Sequence, residues 1–381
     1  MADLTTNEKK VSSSSYIPDE IALCILSKLP VKSLKRFSCV RKSWSVLFEN
    51  SDFFNKFRNN LVSKSVPLYD DACFLFKRTM YGTTFSLGLG EDEIVLDLNL
   101  PSIFLDNGNQ STEILGSAID GIVCLYDCFN HTTVVLWNPN TRKRKLVPPT
   151  PVKKYLPDGL ESAYCLHGFG YDCVQDDFKI ILYVNCDLLV GEGEYDYDSF
   201  WEIYSLKSNS WRRLNGDHTI PFLESGTKGL EVYLNGMCHW LGLKDDQTYL
   251  VSFNLSNEVF LSVFVDECAS YCYKLVVLNG SVAMIKNRND NMSFNISIFG
   301  EIGVKESRIR LFNVGVGPLS SSVEDSIAAG KKGKIFFKEK DGKVVCLDLT
   351  TLMIEKIDFE SNSSIDQIVF YKASHRRLKK Q

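Results

Sequence analysis

The stretch Val134-Val135-Leu136-Trp137-Asn138-Pro139-Asn140-Thr141 is an apolar strand that ends on turn-forming residues. The same arrangement returns four more times, at Trp201 to Leu206, Tyr249 to Ser256, Asn295 to Gly300 and Val344 to Thr350. Aligning the turn openers at 138, 205, 254, 300 and 348 gives steps of 67, 49, 46 and 48 residues. A second mark runs in step with the first. A glycine followed by an apolar strand precedes four of the copies, at Gly121, Gly236, Gly280 and Gly333, with 17, 18, 20 and 15 residues from glycine to turn. Two signals locked to one period identify an internal repeat.

A repeat of 46 to 49 residues holding four short strands is the size of one propeller blade. A weaker unit with Cys73-Phe74-Leu75-Phe76 and Ile94 to Leu98 raises the expected count to six blades. The lone strand Ile365 to Tyr371 is left over at the C-terminal end, and it can close the ring on that first unit. The expected fold class is therefore mainly β with a small N-terminal all-α module, a six-bladed-propeller-like domain filling 70–372. An open sandwich of similar strands is the alternative. Residues 1–15 and the basic segment 373–381 are expected to be disordered tails.

Ahead of the repeats, from Tyr16 to Arg58, the apolar spacing is helical. The first helix begins at Pro18, with Asp19 and Glu20 in its first turn where they complement the dipole, and Pro30 ends it. Between them Ile21 to Ile25, Leu26 and Leu29 leave only Ser27 and Lys28 polar, so this helix needs burial on more than one side. A short helical turn follows around Leu34, and then a stripe of Val40, Trp44, Leu47 and Phe48 predicts a third helix. A module this short needs a metal, a disulfide or a partner to be stable. Residues 18–48 carry six basic and two acidic side chains, a local net charge of +4 within a chain of net −4, which favours an acidic protein partner.

The string Ile17-Pro18-Asp19-Glu20, then Ile25 to Leu34, then Cys39-Val40-Arg41-Lys42-Ser43-Trp44 resembles the F-box. The resemblance implies a three-helix segment over 16–58 that docks on the Skp-type adaptor of an SCF-class cullin-RING ubiquitin ligase. Its adaptor-facing residues would be Pro18, Ile25, Leu26, Leu29, Pro30, Leu34, Val40 and Trp44. The later region, with Gly116 to Asp127, Leu136-Trp137-Asn138-Pro139, Gly168-Phe169-Gly170-Tyr171-Asp172, Asp177-Phe178-Lys179 and Val232 to Trp240, resembles the F-box-associated, kelch-like domain of plant-type F-box proteins. Together they imply a substrate receptor: the helical module tethers the ligase and the propeller grips a target protein for ubiquitination. A propeller scaffold or binding protein that acts without the ligase is the alternative.

Enzyme chemistry finds little purchase. There is no Gly-x-Ser-x-Gly elbow, the glycines at 168 and 170 are followed by Cys173 where a dinucleotide loop needs its third glycine, and Gly330 to Lys334 lacks a phosphate loop's spacing. His239 beside Trp240 in an apolar strand reads as a core histidine. The twelve cysteines include no Cys-x-x-Cys and the five histidines are scattered, so neither metal nor cofactor is expected. No secretory leader or membrane-length apolar run is present, which points to a soluble protein of the cytosol or nucleus with reduced thiols. The net charge of −4 argues against nucleic acid or an anionic membrane as partner.

The 67-residue step exceeds its neighbours by about 19 residues, which must project as a loop. One candidate is the Pro-rich run after Val147. The other is the acidic stretch 188–198, where Glu192, Glu194, Asp196 and Asp198 alternate with Tyr195 and Tyr197 in a pattern suited to a basic target.

Overall fold

The computed structural model describes residues 17–29, 31–37, 39–47, 50–63, 73–79, 83–88, 96–98, 112–128, 133–154, 163–185, 199–215, 220–221, 231–267, 272–288, 293–303, 307–315, 323–330, 333–357, 364–374 and 378. It divides into two units, 1–61 and 62–381.

In the first unit, helix α1 (Asp19–Leu26) and helix α2 (Val31–Phe37) stand where the sequence places them. The expected third helix does not form over the described part of its stripe, Val40 to Leu47; Phe48 lies outside the described residues. Arg41 is extended, with φ −141° and ψ 134°, Lys42–Trp44 is a single 3-10 turn, and the next helix, α3, runs Ser51–Ser63. Its start is set by Asn50, whose side-chain oxygen accepts the Phe53 N–H at 2.9 Å. Helix α3 supplies the core that α1 and α2 lack, with Phe53 and Phe57 stacked at 6.3 Å and both buried together with Ala22, Leu26, Leu34 and Leu47. Asn60 ties α3 to α1 by donating to the Ser27 hydroxyl at 2.8 Å.

The second unit is six four-stranded antiparallel sheets. Numbered along the chain, sheet 2 holds Thr112–Ile114, Val123–Asp127, Val134–Asn138 and Lys143–Leu146, and sheet 3 holds Ala163–Asp172, Asp177–Asn185, Phe200–Ser205 and Ser210–Arg213. Sheet 4 is Glu231–Leu234, Met237–Lys244, Gln247–Asn254 and Phe260–Asp266, and sheet 5 is Cys272–Leu278, Ser281–Arg288, Ser293–Phe299 and Arg308–Gly315. Sheet 6 is Val323–Ala329, Lys334–Glu339, Val344–Asp348 and Ile354–Ile357. Sheet 1 joins the first and last strands of this unit: the C-terminal strand Ser364–Tyr371 pairs with Cys73–Thr79, followed by Thr83–Gly88 and Leu96–Leu98. The leftover strand thus closes a six-bladed propeller, and the open sandwich is set aside.

Both repeat marks have local physical causes. Each turn opener stands at or next to the end of its sheet's third strand, where Asn138, Asn254 and Asp348 accept backbone N–H groups two or three residues on. The glycines lie between the first and second strands. Gly236 and Gly280, at φ +80° and +77°, follow Asn235 and Asn279 at φ +51° and +48°, the backbone of a tight hairpin turn that Asn-Gly favours.

Successive sheets bury apolar side chains between them, such as Leu75 and Phe85 with Val135 and Trp137, and Phe74 with Phe336 and Ile368. A buried ion pair also crosses from sheet 1 to sheet 2, Lys77 Nζ lying 2.6 Å from Glu113. The expected tail is packed where it is described. Ser374 accepts a hydrogen bond from Asn138 at 3.0 Å through its carbonyl, and Leu378 is buried in the apolar cluster that includes Leu115 and Ile119. Residues 375–377 and 379–381 lie outside the described set, as do 1–16.

Candidate functional site

The apolar residues of α1 divide between two faces. Ala22 and Leu26 turn inward, while Ile21 and Ile25 remain 52% and 53% exposed, in line with Ile17 one turn earlier. On the following segment Val40 is 68% exposed, and Phe37 meets the half-buried Trp44 edge to face at 6.2 Å. Arg41, next to Val40, is tied to the α1 start by an ion pair with Asp19 at 2.6 Å. The set expected to face an adaptor therefore separates. Pro18, Ile25 and Val40 are exposed, Leu29 and Trp44 are partly so, and Pro30 lies outside the described residues. Leu26 and Leu34 are corrected to the unit's own core, at 3% and 1% exposure. Ile17, Ile21 and Phe37 are exposed positions that sequence reading missed, because on a helix apolar all round the 3.6-residue period does not say which face is inside.

In the propeller, the stretch from Gly168 to Asp172 is a structural contact. A Cβ on Gly168 or Gly170 would stand 2.8 Å from Cys238 or 2.4 Å from Leu255, so these glycines admit sheet 4 against sheet 3. Lys179, itself buried, completes the junction by donating to Asp172 and to the Leu255 carbonyl, both at 2.8 Å, and Ser256 donates to Asp172 at 2.6 Å. These partners hold Asp172 below its ordinary carboxylate range despite its desolvation.

His239 is buried on sheet 4, its Nδ1 2.7 Å from the Ser252 hydroxyl, and desolvation pushes its pKa from 6.5 down to about 4. It is neutral in the folded protein over the physiological range, a poor general base. As pH falls below 6.5 the unfolded chain gains this proton while the folded chain does not. Stability should therefore decline between pH 6.5 and about 4 by roughly 3 kcal/mol from this group, then level off. Replacing His239 with Gln should flatten thermal melts across that window; an unchanged slope contradicts the assignment.

Among the described residues, no group of three or more His, Cys, Asp or Glu side chains is placed to hold a metal, and no helix is long and apolar enough to cross a membrane. A cavity of about 440 Å³ is lined by Val232, Val276, Ala329 and Ile368 among others, each on a strand that edges its sheet. The acidic stretch with Glu192, Glu194, Tyr195, Asp196, Tyr197 and Asp198 lies outside the described residues, within the connection from Asn185 to Phe200.

Comparison with known proteins agrees with both units. The F-box domain family matches residues 15–56, and the family described as F-box associated beta propeller domain matches residues 74–374. F-box protein CPR1 of Arabidopsis thaliana is 25% identical over 364 residues, covering 91% of this chain and 82% of its own. F-box protein At1g30790 of the same plant is 25% identical over 259 residues, 64% of this chain and 60% of its own. A third Arabidopsis thaliana protein named as an F-box protein, At3g16210, is 30% identical over 175 residues, so the chain spans only 42% of that relative's length.

Proposed function

The chain belongs to the F-box associated beta propeller domain family, and from that premise we propose that it is the substrate-recognition subunit of an SCF-type cullin-RING ubiquitin ligase. F-box domains bind Skp-type adaptors in such ligases. The observation that carries the reading is the exposed stripe Ile17, Ile21, Ile25 with Val40 on a unit whose core is already filled by Phe53, Phe57 and Leu34. Apolar side chains at this density on so small a unit mark a surface that another protein covers. The unit's local charge of +4 suits an acidic adaptor.

In this reading the propeller is a non-catalytic, kelch-like receptor, the complex works in the cytoplasm or nucleus, and neither nucleic acid nor membrane takes part. The acidic stretch 188–198 captures a basic target, with Tyr195 and Tyr197 adding contact area. The test is affinity capture from cells, with the full chain compared with one lacking residues 15–56. The deletion should lose the adaptor and accumulate bound targets. Converting Glu192, Glu194, Asp196 and Asp198 to amides should keep the adaptor and weaken capture of basic targets, with a flatter salt dependence. Retention of the adaptor by the deleted chain rules the reading out.

A further inference from the structure

The strands Thr112–Ile114, Ala163–Asp172, Glu231–Leu234, Cys272–Leu278, Val323–Ala329 and Ser364–Tyr371 each end their sheet, pairing with one neighbour only. Such an edge presents backbone donors and acceptors along its second side. In Glu231–Leu234 the apolar side chains leave it open, because they lie sideways against the flanking sheets. In Glu231–Leu234, Val232 and Leu234 pack with Leu275 and Met284 of sheet 5, and Tyr233 packs on the opposite side with Phe169 and Cys238. What this strand turns toward the cavity between the sheets is main chain.

The cavity, of about 440 Å³, has Tyr171, Leu234, Ala329 and Phe370 among its lining. One edge shows the chemistry that such a surface takes. The Gln367 carboxamide accepts the Ile114 N–H at 2.9 Å and donates to the Ile114 carbonyl at 3.2 Å, an amide laid along the edge of Thr112–Ile114 in place of a neighbouring strand. Around Val232, Val276 and Ile368 the strand edges border open volume instead. The walls carry both charge signs, Asp120 and Glu231 with Lys274 and Lys372, which favours a segment of little net charge.

We propose that this cavity receives a short extended peptide segment of a protein partner, bound by main-chain hydrogen bonds to the inner strand edges. Backbone bonds supply the affinity, and alternate side chains, kept small by the volume, supply selectivity. The receptor reading enters only in naming the owner of the peptide, a captured target.

The experiment titrates the full-length chain with an equimolar pool of acetylated, amidated tetrapeptides built from Ala, Val, Ser and Thr. Saturable binding is expected. The same pool methylated on alternate backbone nitrogens should bind at least tenfold more weakly, since each methyl group removes a donor and blocks strand approach. Ser117→Trp and Ala373→Trp, which place bulk at the cavity wall, should each abolish binding while adaptor co-purification is unchanged. No binding to the wild-type chain, equal binding of the methylated pool, or undiminished binding to both tryptophan variants overturns the proposal. Should a variant melt abnormally, the methylated pool decides without it. Adaptor co-purification is a separate readout, so failure here leaves the receptor reading standing and failure of that reading leaves peptide binding measurable.

Discussion

Ile25→Asp in the full-length chain is expected to abolish co-purification of a Skp-type adaptor while leaving the propeller's melting temperature unchanged. Ile25 is 53% exposed on α1, so the substitution costs the isolated chain little. At a closed interface the sign reverses. Burying an isoleucine contributes about 1.5–3 kcal/mol, and an unpartnered carboxylate in its place adds a desolvation penalty of several kcal/mol more, so affinity should fall on the order of a thousandfold or beyond. The new charge also lowers the local +4 that favours an acidic adaptor. Leu34→Ala should behave differently. Leu34 is 1% exposed in the core of the same unit, and truncating it should cost that unit about 2–5 kcal/mol of stability. Adaptor recovery would then fall with temperature instead of vanishing outright. Equal adaptor recovery from Ile25→Asp and wild type would remove the exposed face of α1 from the interface.

The contrast between Ile25 and its neighbour Leu26 marks where sequence reading stops. The propeller was legible because its determinants are local: Asn and Asp side chains that close turns on their own backbone, and Asn-Gly pairs that need left-handed φ at two consecutive positions. Each recurs with the strand it serves, so the period exposes the fold, and the unpaired strand at 365–371 exposes the closure. The helical unit gives no such redundancy. Val40, Trp44, Leu47 and Phe48 fit a helix by spacing, but the chain is extended at Arg41, and a fresh N-cap at Asn50 starts the helix elsewhere. The stripe Phe53, Phe57, Leu61 behind Asn50 was the signal that could have placed it. The cavity was not legible at all, because it is made of strand edges, and which edge goes unpaired depends on the assembled ring.

That dependence on assembly gives the largest expected effect in the second unit. A chain ending at Ser363 lacks the inner strand of sheet 1 and should fail to give a cooperative propeller melt. The missing strand buries Ile365 and Ile368 against Phe74 and Phe336, and Tyr371 against Leu75 and Trp137. It also supplies Gln367 to the edge at Ile114. Three large side chains at about 1.5–3 kcal/mol each, taken from a domain whose stability is of order 5–15 kcal/mol, leave little to hold the ring. The cut also turns Phe74 and Phe76 out on an unpaired strand edge, so the product should aggregate. A chain ending at Tyr371 keeps the strand and loses only the residues that follow it. There the Asn138 bond to the Ser374 carbonyl and the buried Leu378 are forfeited, and the melt should remain cooperative with a cost of about 2–5 kcal/mol. Leu378→Asp alone should reproduce most of that smaller loss. The ordering is the test, read by thermal melts of the three chains against the full-length protein. If the chain ending at Ser363 melts like the full-length protein, the C-terminal strand does not close the ring. If the chain ending at Tyr371 does so, Leu378 carries no stabilising contact.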